Sequence, residues 1–212
     1  MADLEFFFDP GCPWAWVTSR WVTEVGKLRN YAVSWKFISL SMINTDKGYN
    51  PGDDYHKMMH IFGLKALRVA SAARASAGND AVAKFYTAIG TTIHVEKNRE
   101  GIDTDAHKYL TDVLRRHSLP TEWANSLEDE THTAVIRYET DLALSRTGKN
   151  VGTPILTFKP GQPTEGSFFG PVISKSPRGD EALKLWDAVE TIATTSGVAE
   201  LKRSLRAPLD FS

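Results

Sequence analysis

Apolar positions in this chain switch between two kinds of spacing. Leu4 to Phe8 is an apolar run broken only by Glu5 and stopped by Asp9-Pro10-Gly11, which reads as a buried strand entering a tight turn. From Pro13 to Leu28, Trp14, Val17, Trp21, Val25 and Leu28 recur at threes and fours and make one apolar helix face. Tyr31 to Leu40 reads as the next strand, with Val33, Trp35, Phe37 and Ile38 inside it. Strand, helix, strand with short connections is a unit that builds a parallel sheet.

After about Asn44 the period changes, and up to Thr147 only helical spacing is present. His56 to Ala75 forms one stretch. Val82, Phe85, Tyr86, Ile89 and Ile93 form a stripe in a second. Asp105 to His117 and Asp129 to Arg146 form two more, with Gly148 as the stop of the last. Strand character returns at Val151 to Phe158, followed by a turn at Lys159-Pro160-Gly161 and a short strand near Gly166 to Phe169. Two closing helices are expected. One is capped by Asp180, carries Leu185, Trp186, Val189 and Ile192, and stops at Gly197; the other spans Val198 to Arg206. The order βαβ, helical block, ββαα predicts an α/β chain. Its connectivity is that of a thioredoxin fold with an all-helical domain inserted after the second strand. Residues 1–44 and 148–212 would form the thioredoxin-like part and 45–147 the insertion.

Composition narrows the function classes. The 212 residues are 42% apolar and include six Trp, enough for a substantial core. With 25 basic and 26 acidic residues well mixed, no basic patch with interleaved aromatics points to nucleic acid. No apolar run is long enough to span a membrane. The N-terminus lacks the basic and apolar regions of a signal peptide. A single cysteine makes no internal disulfide, which fits a reducing, cytoplasmic location.

That cysteine, Cys12, comes after a strand and its turn and precedes Pro13. Proline is favoured at the first helical position, so Cys12 is expected at the N-cap, facing the unpaired N–H groups and positive dipole end of the helix. Such placement lowers a thiol pKa from about 8.5 to roughly 3.5–7.5 and makes the nucleophilic thiolate available at neutral pH. The alternative is a buried, inert cysteine. A dithiol enzyme would carry a second Cys three residues on, where this chain has Ala15. Cys12 would then form a mixed disulfide that no internal thiol resolves. The chain is either naturally monothiol or a variant whose resolving Cys was replaced; Ala, rather than a polar residue, favours the second. Val151-Gly152-Thr153-Pro154 is the other element. A cis Pro154 before the third strand, with Thr153 offering its backbone to a bound thiol or peptide, is the reading in a thioredoxin-like frame; an ordinary trans proline at a strand start is the alternative.

The segments Phe7 to Trp14, Thr18-Ser19-Arg20-Trp21, Val151 to Pro154 and Phe169-Gly170-Pro171-Val172 resemble the DsbA-like family. Within it they are most similar to the actinobacterial mycothiol-dependent reductases, also called DsbA-like mycoredoxins or mycothiol-dependent nitroreductases. The stretch Phe168 to Trp186 is similar too. The resemblance covers nearly the whole chain; Ala15, where the group normally has Cys, is the departure. It implies a cytoplasmic thiol–disulfide oxidoreductase with mycothiol, a low-molecular-weight thiol, as reductant and no metal. Disulfides, S-mycothiolated proteins or nitro compounds would be oxidants. It also implies Cys12 as nucleophile within Cys12-Pro13-Trp14-Ala15, Trp14 as the wall beside it, and Asn44, Tyr55, His94, Thr153 and Pro154 as thiol-binding positions. Each insertion residue has a plainer alternative: Asn44 a helix cap, Tyr55 a half-buried surface aromatic, His94 a solvated residue at a helix end. His56 and His60 lie at i and i+4, but no third ligand is evident, and they read as surface residues. No nucleic acid or membrane partner is expected, and the chain would be a monomer or homodimer. Two other function classes compete: a kappa-class glutathione transferase or 2-hydroxychromene-2-carboxylate isomerase-like enzyme holding a thiol cofactor non-covalently, and a non-enzymatic peptide-binding module.

Overall fold

The structure is a computed structural model that describes residues 2–45, 48–49 and 52–211. The elements run β1 (Leu4–Phe8), α1 (Pro13–Arg29), β2 (Val33–Phe37), α2 (Leu40–Thr45), α3 (Asp54–Gly90), α4 (Ala106–Arg116), α5 (Thr133–Thr147), β3 (Ile155–Phe158), β4 (Gly166–Phe169) and α6 (Gly179–Thr194), with short 3-10 and π turns between α3 and α5. The chain divides into two compact units: Met1–Phe8, Pro13–Lys36 and Ala143–Ser212 form one, Asp9–Cys12 and Phe37–Leu142 the other.

The first unit carries a four-stranded sheet in the order β2-β1-β3-β4. The N–H groups of Asp3 and Leu4 both donate to Ala32 O, at 2.9 and 3.3 Å, so β1 and β2 start side by side and run the same way. β3 is antiparallel to β1, Leu4 opposite Phe158, and β4 is antiparallel to β3. A central strand needs apolar side chains on both faces, and Leu4, Phe6, Phe7 and Phe8 are all fully buried. α1 and α6 pack on each other, and α6 also covers β3 and β4. Their contact is aromatic: Trp186 lies 5.4 Å from Trp21 and 5.2 Å from Phe158, centroid to centroid. Both indole N–H groups are satisfied, Trp21 by Ala182 O at 2.9 Å and Trp186 by Glu190 at 3.2 Å, as burial of these amphipathic rings requires.

The second unit is helical, with α3 packed on α2, α4 and the 3-10 turn Thr121–Ser126. The two stripes read between His56 and Ile93 share the single span α3, broken where Ala77 and Gly78 leave helical geometry, and the second runs on into the π turn Thr91–Val95, which holds Ile93. Asp105 caps α4 by accepting Lys108 N–H at 2.9 Å. Gly148, at φ 87°, ends α5 with its N–H on Leu144 O at 2.8 Å.

Four local expectations are corrected. β2 is shorter than Tyr31 to Leu40 because α5 takes over its last donors: Phe37 N–H goes to Glu139 at 2.8 Å and Ser39 N–H to Thr140 Oγ1 at 3.0 Å. Leu40 instead opens the short helix α2, where Ser39 Oγ accepts Met42 N–H at 3.3 Å. Asp180 does not cap α6; the N-cap position is Arg178, and Gly179 N–H is met by Glu24 at 3.3 Å. Val198 to Arg206 is not helical. Leu201 and Leu205 are 75% and 85% exposed, so this stretch has no surface to bury its apolar residues against, and a short isolated helix is marginal without one. Side-chain and backbone pins hold the tail instead: Asp210 N–H on Ser174 O at 2.7 Å and Lys175 with Asp210 at 2.9 Å.

Trp186 is the keystone of the first unit's aromatic cluster. Trp186→Ala is expected to lower unfolding free energy by about 3–5 kcal/mol, measured by urea denaturation.

Candidate active site

The turn after β1 is built from its own backbone and one acid. Cys12 N–H donates to Asp9 O at 3.0 Å, closing Asp9-Pro10-Gly11-Cys12. Asp9 has no exposed surface. One carboxylate oxygen accepts Gly11 N–H at 2.8 Å, and the other accepts the N–H of Leu40, first residue of α2, at 2.9 Å. Gly63 of α3 makes room for this group: a Cβ there would stand 2.3 Å from Asp9 Oδ1. Burial outweighs the two hydrogen bonds and pushes the Asp9 carboxyl up to about 7.

His94 holds the same turn from another side. It is 1% exposed, and its Nε2 lies 2.9 Å from Pro10 O. A carbonyl only accepts, so Nε2 carries the proton. The residue sits in the π-helical turn Thr91–Val95, where Glu96 N–H reaches back to Thr91 O at 3.0 Å. Such wide turns are frequent at functional sites. Burial, with a smaller effect from Arg99, lowers His94 to about 4 and keeps the imidazole neutral at pH 7. The solvated alternative for His94 is therefore overturned.

The other insertion positions lie on elements tied to this turn. Asn44 is inside α2 rather than at its cap, with Nδ2–H on Leu40 O at 2.8 Å. Tyr55, near the start of α3, is 49% exposed and has the Arg99 guanidinium 5.9 Å from its ring. His56 is exposed and bonded to Asp53, whereas His60 is half-buried and meets the Tyr49 hydroxyl at 3.0 Å. Among the described residues no three His, Cys, Asp or Glu are grouped to hold a metal.

Cys12 is 7% exposed and directly precedes Pro13, the first residue of α1. In the first unit, Pro13 and Trp14 are half-buried and Ala15 is fully buried. The guanidinium of Arg206, from the irregular tail, stands 5.1 Å from the Trp14 ring, within cation–π range. Thr18 Oγ1 donates to Pro171 O at 2.8 Å and ties α1 to the loop after β4. The Thr153–Pro154 and Gly170–Pro171 peptide bonds are cis. Thr153 is buried with its hydroxyl donating to Phe7 O at 3.0 Å, and Pro154 O accepts Gly170 N–H at 2.9 Å.

Three contributors were not read from the sequence. Asp9 carried a signal, an ionisable residue closing an apolar strand three positions before a cysteine, but it was read only as a turn former. Gly63 and Arg206 carried none, because a helix glycine and a tail arginine are common for many reasons.

Residues 11–203 match the sequence profile of the Rv2466c-like family, described as Mycothiol-dependent nitroreductase Rv2466c. This chain belongs to the Rv2466c-like family. It is similar to uncharacterized protein Rv2286c of Mycobacterium tuberculosis, 29% identical over 99% of this chain and 85% of that protein. Its fold is that of DsbA-like thioredoxin proteins. The cytosolic disulfide reductase DsbM from Pseudomonas aeruginosa, solved with GSH, superposes with a TM-score of 0.58 at 15% identity, over 88% of this chain and 98% of that one. Wolbachia pipientis alpha-DsbA1 gives 0.54 at 13%, over 90% and 84%. A 2-hydroxychromene-2-carboxylate isomerase gives 0.55 at 14%, over 88% and 93%. The α/β frame with its helical insertion is thus established, and membership of the Rv2466c-like family supports a thiol-dependent redox role.

Asp9 and His94 titrate with opposite consequences. Asp9 keeps its proton up to about pH 7 when folded, against 3.8 in the unfolded chain, so its contribution to stability is lost as pH rises through that window. His94 is depressed from 6.5 to about 4, so its contribution is lost as pH falls through that window. The two contributions slope in opposite directions. Relative to wild type, Asp9→Asn is expected to lose melting temperature toward pH 4, and His94→Gln to lose it toward pH 7. Calorimetric melts across this range check the opposed slopes; equal slopes would refute them.

Proposed function

We propose that this chain is a mycothiol-dependent thiol–disulfide oxidoreductase with Cys12 as its nucleophile. The single observation that carries the reading is a lone cysteine on a pinned turn directly before Pro13 and α1, in a chain of the Rv2466c-like family. A helix N-terminus favours the thiolate. Cys12 sulfur attacks one sulfur of a disulfide, forms a mixed disulfide and releases the other half as a thiolate. A low-molecular-weight thiol then attacks the mixed disulfide, leaves with its partner half as a new disulfide and returns Cys12 as thiolate. Small disulfides, S-mycothiolated chains and nitro compounds are the oxidants; a nitro group takes the two electrons and two protons released when two thiols join as a disulfide, becoming a nitroso group and losing one oxygen as water. The 7% exposure of Cys12 favours small or extended partners over the surface of a folded protein.

The residues present suit such a thiol. Half-buried Asn44 and half-exposed Tyr55, both in the helical unit, offer an amide and a hydroxyl. Thr153 and Pro154 are assigned to hold the bound sulfur compound. The site of action is taken to be the cytoplasm, and among the described residues no helix is long and apolar enough to cross a membrane. The isomerase-like fold match keeps one other reading in play, non-covalent use of a thiol cofactor. Electrophile conjugation sustained by Cys12→Ser would favour it.

Mild oxidation of the chain with mycothiol, with intact mass spectrometry as the readout, is the direct test. One disulfide-linked mycothiol is expected on Cys12 at neutral pH, and its absence would sink the reading. Ala15→Cys is expected to release that adduct by closing an internal disulfide with Cys12, and to raise turnover of a small disulfide several-fold. An unchanged rate would mark the enzyme as naturally monothiol.

A further inference from the structure

The turn Asp9-Pro10-Gly11-Cys12 is held by three hydrogen bonds to its backbone. Asp9 O takes Cys12 N–H, the Asp9 carboxylate takes Gly11 N–H, and His94 Nε2–H takes Pro10 O, at 3.0, 2.8 and 2.9 Å. The second carboxylate oxygen is fixed to Leu40 N–H at 2.9 Å, and Gly11 lies so near α3 that a Cβ would be 2.8 Å from Met59 O. Two ionisable side chains, both almost without exposure, therefore set the placement of one thiol. Neither is needed for a turn as such, since Asp-Pro-Gly-Cys closes by its own backbone bond. Burying an acid is costly, and the fold bears that cost for Asp9 a single turn from the cysteine.

We propose that Asp9 and His94 are positioning residues that clamp the Cys12 turn, and that ionisation of Asp9 restrains ionisation of the Cys12 thiol. This rests on Cys12 being the nucleophile. The ends of a β-turn lie within about 7 Å of each other, Cα to Cα, so a buried carboxylate charge opposes a thiolate at this range. The two groups then titrate as a pair, with a broadened profile rather than a single step. Among the described residues, Asp9 acts on Tyr49 before α3 and Arg99 acts on His94, while Asp53 acts on Tyr49 and, with His56, on His60 of α3. Of these, His60 is the half-buried imidazole joined to Tyr49, the residue on which Asp9 acts electrostatically, and it is the competing source of a second step.

The experiment is the pH profile of iodoacetamide alkylation and of thiolate ultraviolet absorbance, on the full chain. Wild type is expected to give a profile broader than one ionisation. Asp9→Asn is expected to give a single step with its midpoint about one pH unit lower. His94→Phe is expected to slow alkylation several-fold at full ionisation, with rescue by His94→Gln, whose amide N–H can still meet Pro10 O. A profile unchanged in Asp9→Asn, or one narrowed by His60→Gln instead, overturns the coupling. A variant that does not fold is bypassed in the wild type. Carbon NMR of labelled aspartate must show the Asp9 midpoint falling once Cys12 is alkylated, since linkage is reciprocal; a fixed midpoint overturns the proposal. Failure of the underlying reading looks different, because wild-type Cys12 would then neither ionise nor alkylate across the range.

Discussion

A carboxylate with no exposed surface constrains the turn and the helices around it. Asp9 closes the apolar strand β1, and a buried acid must find donors within the protein. It finds one in Gly11 of its own turn and one in Leu40, and those choices have consequences. Leu40 N–H must point at Asp9, so the chain leaves β2 and coils into α2 instead of extending the strand. α3 must carry a glycine at position 63, since any side chain there would fill the space the carboxylate occupies. Cys12 stands at the far end of a turn whose shape is set by these bonds.

The frame was legible because its signals are periodic and local. Three consecutive Phe residues before a turn-former mark a central strand, and β1 is that strand. The helical stripes around Phe62, Phe85 and Tyr109 mark helices whose faces the structure buries. What failed was decided by contacts distant in sequence. The end of β2 depends on Glu139 and Thr140, about a hundred residues on, which claim the donors of Phe37 and Ser39. The tail from Val198 has helix-compatible residues and no surface to bury them, so local propensity lost to the absence of tertiary packing. The same holds for the site. Cys12 is marked by the proline next to it, whereas the burial of His94 depends on a π turn and on Pro10, eighty-four residues upstream, which no local pattern encodes.

Ala15 shapes the chemistry by omission. It is fully buried and comes directly after Trp14, whose ring faces Arg206. In a dithiol enzyme the second sulfur sits there and limits the lifetime of the mixed disulfide. On the proposed function, that lifetime would be set by whichever outside thiol reaches Cys12, which is only 7% exposed. A monothiol site therefore places more of its specificity in the walls of the site than a dithiol site does.

The opposed shifts of Asp9 and His94 explain how such a clamp persists near neutrality. A turn pinned by two buried acids would repel itself as pH rises, and one pinned by two imidazoles would fail as pH falls. Here burial makes the acid harder to ionise and the imidazole harder to protonate, so both are driven toward their neutral forms by the same cause. Between about pH 4 and 7 the pair spans the turn with almost no net charge. Near the upper limit Asp9 ionises, and its charge then appears in the turn that ends at Cys12. If Cys12 is the nucleophile, a group buried for architecture thereby acquires leverage over chemistry.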